Sequence, residues 1–423
     1  MSELLIKNAA VVSPADKLNG VFDIKIKDGV IAEIGESLSS NGEIINAEGL
    51  CAVPGLVDMH VHLRDPGQTA KEDIITGCRA AAAGGVTSLL AMPNTAPTTD
   101  DPETVKYILD KAKSADARVY VAASITKGLK SEEKTDLQAL KAAGAIGLSD
   151  DGRPVENTAF LSEAMIAAPK LCMTVVAHCE DLYLADGGKM NKGKISEQLG
   201  VKGIPASAED CGTAREIALA AAEDVPIHIC HVSTKTSVAL IRDAKNRGVK
   251  VTAETAPHYF SLTENELLKR DADYRMNPPL RTEEDRLAII EGLQDGTLDA
   301  IATDHAPHTP EEKSDFEKSP NGSIGMETSL AAGITNLVKP GLLTFEQLIE
   351  KMSVNPAKIL GLNAGTLSVG APADIALVDL NEQWTVDIDK LHGKSKNTPF
   401  KNLTMTGRVK RTILGGKTVY INS

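Results

Sequence analysis

Four histidines and two aspartates carry the chemistry open to this chain. His60 and His62 are separated by one valine in the run LVDMHVHLR. Residues two apart in a strand face the same side, so both imidazoles can turn toward one ion. Imidazole suits borderline divalent metals such as zinc. His178 closes MTVVAH, His231 closes PIHICH, Asp304 follows LDAIAT and Asp151 follows IGLSD. An HxH pair alone is weak evidence, and a satisfied core histidine would account for any one of these residues. Metal-ligating types at the ends of five separate apolar runs have no such account. They point to a metal site.

A carboxylate is the natural bridge between two ions. Asp151 is the candidate, although Asp150 competes with it on spacing alone. Lys141 precedes the run and reads as a solvated helix residue, so no modified lysine is invoked as the bridge.

These residues need elements that bring them together. Candidate strands are Leu56–His62, Val86–Ala91, Arg118–Ala123, Ile146–Ser149, Met173–His178, Pro226–His231, Val249–Glu254 and Leu298–Thr303. Between them lie stretches with helical spacing, among them Pro102–Lys113, Asp210–Ala222 and Thr236–Asn246. Eight strand–helix units over about 250 residues make a (β/α)8 barrel, an α/β fold whose active sites lie at the carboxyl ends of the strands. An open doubly wound sheet is the other architecture, but no phosphate-binding glycine fingerprint follows the first strand. Both ends read as short β segments: Leu4–Lys7, Phe22–Lys27 and Val30–Ile34 at one, IALVDL and RTILGGKTVYI at the other. Neither end suffices for a core, so the two together are expected to form one small β-sandwich. The expected division is 1–54 and 365–423 for that sandwich and 55–364 for the barrel.

Composition narrows the partners. The 423 residues are 42% hydrophobic and 24% charged, ordinary for a globular protein. A net charge of −13 without a basic block argues against nucleic acid or an anionic membrane. No apolar run approaches the roughly 20 residues that span a bilayer. The start, MSELLIKNAAVV, does not read as a secretion signal. Six cysteines without CxxC spacing suit reduced thiols, hence a cytoplasmic location.

The runs VPGLVDMHVHLRDPG, AMPNT, GLSDDG, VVAHCED, HICHVST, ETAPHYF, MNPPLR and ATDHAPHTPEEK together resemble dihydroorotases of the bacterial class I type, within the amidohydrolase superfamily. The resemblance runs over nearly the whole chain. It implies a barrel with a β-sandwich from both termini, and zinc, two ions per subunit. The activity it implies is reversible hydrolysis of (S)-dihydroorotate to N-carbamoyl-L-aspartate, the third step of pyrimidine biosynthesis. Carried over by motif, His60, His62, Asp151 and Asp304 would hold one zinc, and Asp151, His178 and His231 the other. Asp304 would also take the proton of the attacking hydroxide and deliver it to the leaving ring nitrogen. Substrate contacts would fall on His62, Leu63, Arg64, Asn94, Asn277 and His308. A further contact would fall at Asn321 and Gly322, where the family often has Phe-Gly. A homodimer is expected, and association with aspartate transcarbamoylase is open.

Arg64 is the clue to specificity. Two residues beyond His62, its guanidinium can grip a carboxylate through two parallel hydrogen bonds, and dihydroorotate carries one. A rim salt bridge to Asp65 or Glu72 is the alternative. Asn94 and Asn277 can serve carboxylate and ring, or merely hold turns. His308 lies in the polar stretch His305–Gly325, which reads as a mobile lid. His228 and His392 read as inert, and His258 as packing. The rivals to this reading are an allantoinase or hydantoinase, or a non-catalytic subunit that scaffolds aspartate transcarbamoylase.

Overall fold

The computed structural model describes residues 3–422. Eight parallel strands run in chain order around a barrel: β1 (Leu56–Val61), β2 (Val86–Ala91), β3 (Arg118–Ala123), β4 (Gly147–Leu148), β5 (Thr174–Ala177), β6 (Ile227–Ile229), β7 (Val251–Thr255) and β8 (Ala300–Ile301). The second and third match the expected limits; most others are shorter. Residues such as His178 and His231 lie past the strand ends rather than within them, because the chain turns there to face the mouth instead of a neighbouring strand.

The last and first strands close the ring without a regular ladder. The His62 amide donates to the His305 carbonyl at 2.8 Å, and Val61 bridges His305. Asp58 completes the seam by accepting from the Thr303 amide at 3.0 Å and from its hydroxyl. Burial pushes the Asp58 carboxyl up to about 7 against those bonds.

Helices pack outside the strands, started by side chains that satisfy free amides at the first turn. Asp73 and Thr76 form a reciprocal capping box on Ile74–Ala83, and Asp101 caps Pro102–Ala112. Gly84 ends the first of these helices where an added Cβ would lie 2.1 Å from the Met326 carbonyl oxygen. Inside the barrel Met59, Leu90, Ala122, Val176, Cys230 and Ala300 form one apolar cluster, joined by Leu360. The barrel is therefore filled below its mouth.

Both chain ends enter a single eight-stranded sheet. Strands Glu3–Ser13, Leu18–Lys27, Val30–Gly35, Glu43–Asn46 and Cys51–Pro54 come from one end; Ile375–Thr385, Thr404–Leu414 and Lys417–Ile421 come from the other. Cys51–Pro54 pairs with Ile375–Thr385, so the sheet exists only when both ends meet. Its core, including Ile6, Ile24, Ile31, Leu367, Ile375 and Ile413, likewise draws on both. Among the described residues no helix is long and apolar enough to cross a membrane.

Candidate metal centre and substrate pocket

Asp151 sits at the middle of the mouth, just past β4. One carboxylate oxygen lies 3.1 Å from His60 Nε2, 3.5 Å from His231 Nε2 and 3.6 Å from His178 Nδ1. The other is 3.4 Å from His62 Nε2. Asp304 reaches the same two rings, 3.1 Å from His62 Nε2 and 3.7 Å from His60 Nε2. The register of β1 slips between Asp58 and Val61, so the spacing of His60 and His62 is not that of a regular strand. The two rings still meet, edge to face, with centroids 5.4 Å apart. Asp150 faces elsewhere. It accepts from Ser124 Oγ at 2.8 Å and from the Ile125 amide at 2.7 Å, and clamps the loop after β3. Lys141 donates to the Cys172 carbonyl at the exposed surface, away from the cluster.

The donor set fits divalent metal. His60, His62 and Asp151 form one group and Asp151, His178 and His231 a second, each with ligand atoms within 4.8 Å of one another. His60 Nε2 and Asp151 Oδ1 are buried, adjacent and without an aligned hydrogen-bond partner. Buried polar atoms are rarely left so, and a cation between them satisfies both. Burial pushes the Asp151 carboxyl up, but the neighbouring His60 and His231 override it and hold it well below the usual range. His60 is correspondingly raised, Asp151 outweighing the burial. Arg64, His231 and Asp304 all take left-handed backbone angles, with φ of 58°, 36° and 48°. Such angles are uncommon for residues with a Cβ, and their concentration here marks a site that the surrounding fold enforces.

Above the cluster lies a cavity of about 270 Å³, lined by His62, Arg64, Asn94, Asn277, His308, Asn321 and Gly322 together with the Asp and His cluster. Arg64 is buried; its Nε donates to the Pro307 carbonyl at 3.2 Å, and it pairs with neither Asp65 nor Glu72. Asn94 Oδ1 accepts from His62 Nδ1 at 2.7 Å, leaving its amide nitrogen for the cavity. Asn277 does the reverse, donating to both oxygens of Glu180 at 3.2 Å and keeping its carbonyl free. The Leu63 side chain belongs to the apolar core and not to the lining.

The stretch 305–325 is not a loose flap. It is folded down, with Phe316 and Ile324 buried. Arg275, which sequence reasoning missed, is fully buried beneath it and donates to the Phe316 carbonyl, Ser319 Oγ and Asn321 Oδ1. His308 Nε2 lies 3.0 Å from the Asn321 carbonyl and its Nδ1 lies 3.0 Å from Glu312. Gly322, at φ 141°, passes so close that a Cβ would sit 3.0 Å from the His308 ring. Polarity marked this segment as a loop. Its anchoring depends on an arginine 41 to 46 residues earlier in the chain than the groups it holds.

Two other residues went unread. Glu180, two after His178, and Glu254, within β7, each hold a cluster histidine from behind, at 3.1 and 3.0 Å. Burial pushes Glu254 up, but His228 and His60 pull it down to about 2. Glu254 shares the signal that exposed the ligands, a polar residue at a carboxyl-terminal strand end. His228 is thus not an isolated core histidine: it lies 3.3 Å from Glu254. His392 lies far off, bonded to Glu327. His258 is buried edge-on to Tyr259, where burial lowers it to about 4.

Solved structures share this architecture. The chain matches an L-hydantoinase (dihydropyrimidinase) from Arthrobacter aurescens with a TM-score of 0.89 and 26% identity, covering 100% of this chain and 98% of that one. A dihydropyrimidinase from Brevibacillus agri gives 0.87 and 26%, covering 99% and 95%. Barrel, cluster and neighbours define a cyclic amidohydrolase. A family model described as dihydro-orotase-like matches residues 49–237. The dihydroorotase of Acetivibrio thermocellus is 52% identical over 419 residues, 98% of each chain, and that of Geobacter metallireducens 49% over 421, 99% of each. The chain belongs to the dihydroorotase family.

Proposed function

We propose that this site interconverts (S)-dihydroorotate and N-carbamoyl-L-aspartate, the third step of pyrimidine biosynthesis. One observation carries the choice of substrate. A buried arginine, Arg64, lines the cavity beside the Asp and His cluster with no carboxylate partner among the described residues. A carboxylated ring supplies that partner; neutral hydantoins do not. The roughly twofold higher identity to dihydroorotases than to hydantoinases supports the same reading.

His60, His62, Asp151 and Asp304 would hold one zinc, and Asp151, His178 and His231 a second. Zinc when bound supplies Lewis acidity, which can bring a water's pKa to about 7 and polarise a carbonyl. The chain's own residues do the rest. Arg64, with Asn94, Asn277 and His308, grips the carboxylate and ring and fixes the amide carbonyl over the cluster. His62, Leu63, Asn321 and Gly322 complete the contacts, Leu63 through its backbone. Asp304 takes the proton of the attacking water as the oxygen adds to the ring carbonyl. The ring C–N bond then breaks, and the same carboxylate returns the proton to the departing nitrogen. Ring closure retraces these steps. The folded segment over the mouth keeps other water out. We further propose that the barrel proper is 55–364, with 1–54 and 365–423 forming the accessory sheet, and that the enzyme is a cytoplasmic homodimer, free or joined to aspartate transcarbamoylase.

Turnover of the zinc-loaded protein on dihydroorotate, allantoin and hydantoin tests the reading. Dihydroorotate is expected to be the substrate, with activity lost on chelation and regained with zinc. Turnover of hydantoin or allantoin alone would refute it.

A further inference from the structure

The stretch that joins the paired sheet strands Ile375–Thr385 and Thr404–Leu414 does not stay with the sheet. Its residues 391–398, LHGKSKNT, form no regular element and cross to the mouth of the barrel. Lys394 Nζ donates to the Thr69 carbonyl at 2.7 Å, and Ser395 Oγ donates to the Lys71 carbonyl at 2.6 Å. Thr69 and Lys71 belong to the loop after β1 that also carries Arg64. Ser395, Asn397 and Thr398 are buried there. Polar groups taken out of water must find partners, so each of their bonds carries information.

Asn397 spends its whole side chain on the segment 305–325. Its Nδ2 donates to the Ala306 carbonyl at 3.2 Å and to the Gly322 carbonyl at 3.0 Å. Its Oδ1 accepts from the His308 amide at 3.1 Å, and its main-chain carbonyl accepts from the Ile324 amide at 3.0 Å. Two carbonyls and one amide demand two donors and one acceptor, and asparagine carries all three in one planar group. The partners fall on both limbs of the segment, 306–308 and 322–324. Arg275 holds the far turn, at Phe316, Ser319 and Asn321. Asn397 holds the base, where His308 and Gly322 line the cavity.

We propose that Asn397 is a positioning residue for this site: reaching in from the C-terminal stretch, it sets the separation of the two limbs that present His308, Asn321 and Gly322 to substrate. This rests on the substrate reading above. Among the described residues its hydrogen bonds go to no metal-ligating side chain, so it acts on substrate binding and not on the metal. The C-terminal stretch thereby serves the mouth as well as the sheet.

Residue-resolved hydrogen exchange on the zinc-loaded wild-type enzyme is the first test. The His308 and Ile324 amides both donate to Asn397, so both are expected to exchange slowly. Rapid exchange of either overturns the proposal, and this measurement needs no variant to fold. Steady-state kinetics on dihydroorotate then read the positioning role. Asn397→Ala removes the side-chain donors and acceptor. Asn397→Asp keeps the shape and the acceptor but sets a second oxygen against two carbonyls. Each is expected to raise KM about tenfold or more, with kcat changed less than about threefold and bound zinc unchanged. Asn397→Ser, the milder change, keeps one donor and one acceptor and should fall between alanine and wild type. Folded variants with wild-type KM overturn the proposal, as does a fall in kcat at unchanged KM. A wild-type enzyme without turnover of dihydroorotate fails the substrate reading instead, while the exchange rates still report the contacts of Asn397.

Discussion

The mouth of the barrel and the sheet built from the chain ends are assembled on opposite terms. The sheet buries Ile6, Ile24, Ile31 and Ile375 completely, and its interior is apolar. The mouth buries four histidines and two aspartates in one cluster with an arginine lining the cavity above it, leaves polar atoms without partners and holds three residues at left-handed angles. Burying charge and bending the backbone both cost stability, whereas burying isoleucine contributes it. The mouth is stiff because surrounding structure over-determines it, and much of that structure is remote in sequence.

Variants can break this contrast, beginning with the greatest effect on turnover. His178→Ala and His231→Ala should each remove bound zinc from one position and lower kcat/KM by more than about 100-fold. Metal analysis beside steady-state kinetics checks both, and undiminished zinc in both would leave the second ion without its ligands. Arg64→Met should keep the metal yet lower kcat/KM by about 10- to 100-fold, through loss of a buried charged hydrogen bond worth about 1.5–3 kcal/mol. Loss of zinc instead would make Arg64 a structural residue of the mouth. Arg275→Met should raise KM about tenfold while changing kcat less, because it frees the segment that presents His308, Asn321 and Gly322. Faster proteolysis between residues 305 and 325 would accompany it. Ile24→Ala, in the terminal sheet, should leave kcat/KM of the folded enzyme within about twofold but cost about 2–5 kcal/mol of stability in denaturant titration. A turnover defect there would show that sheet and mouth are coupled.

Much was legible in the chain itself. The eight strands were readable because barrel strands are buried on both faces and appear as short apolar runs. The cluster residues were readable because barrel sites sit at carboxyl-terminal strand ends, a rule of position that survives even where β1 loses its regular register. The anchoring of the segment over the mouth was not legible. Arg275 lies in a stretch read only for Asn277, and nothing local distinguishes a buried arginine from a solvated one.

Residue type and spacing alone therefore pointed to a barrel with metal-ligating side chains at its strand ends, and the family resemblance carried by Arg64 and the surrounding motifs pointed to the class of substrate. Ligation requires particular atoms, and strand ends are countable. Tertiary structure decided between Asp150 and Asp151 by turning one carboxylate into the loop and the other into the cluster. It also joined Glu254 and His228 to His60, and made one sheet of two distant ends. Those outcomes depend on which groups face each other across long sequence separations, and local pattern does not encode direction in space.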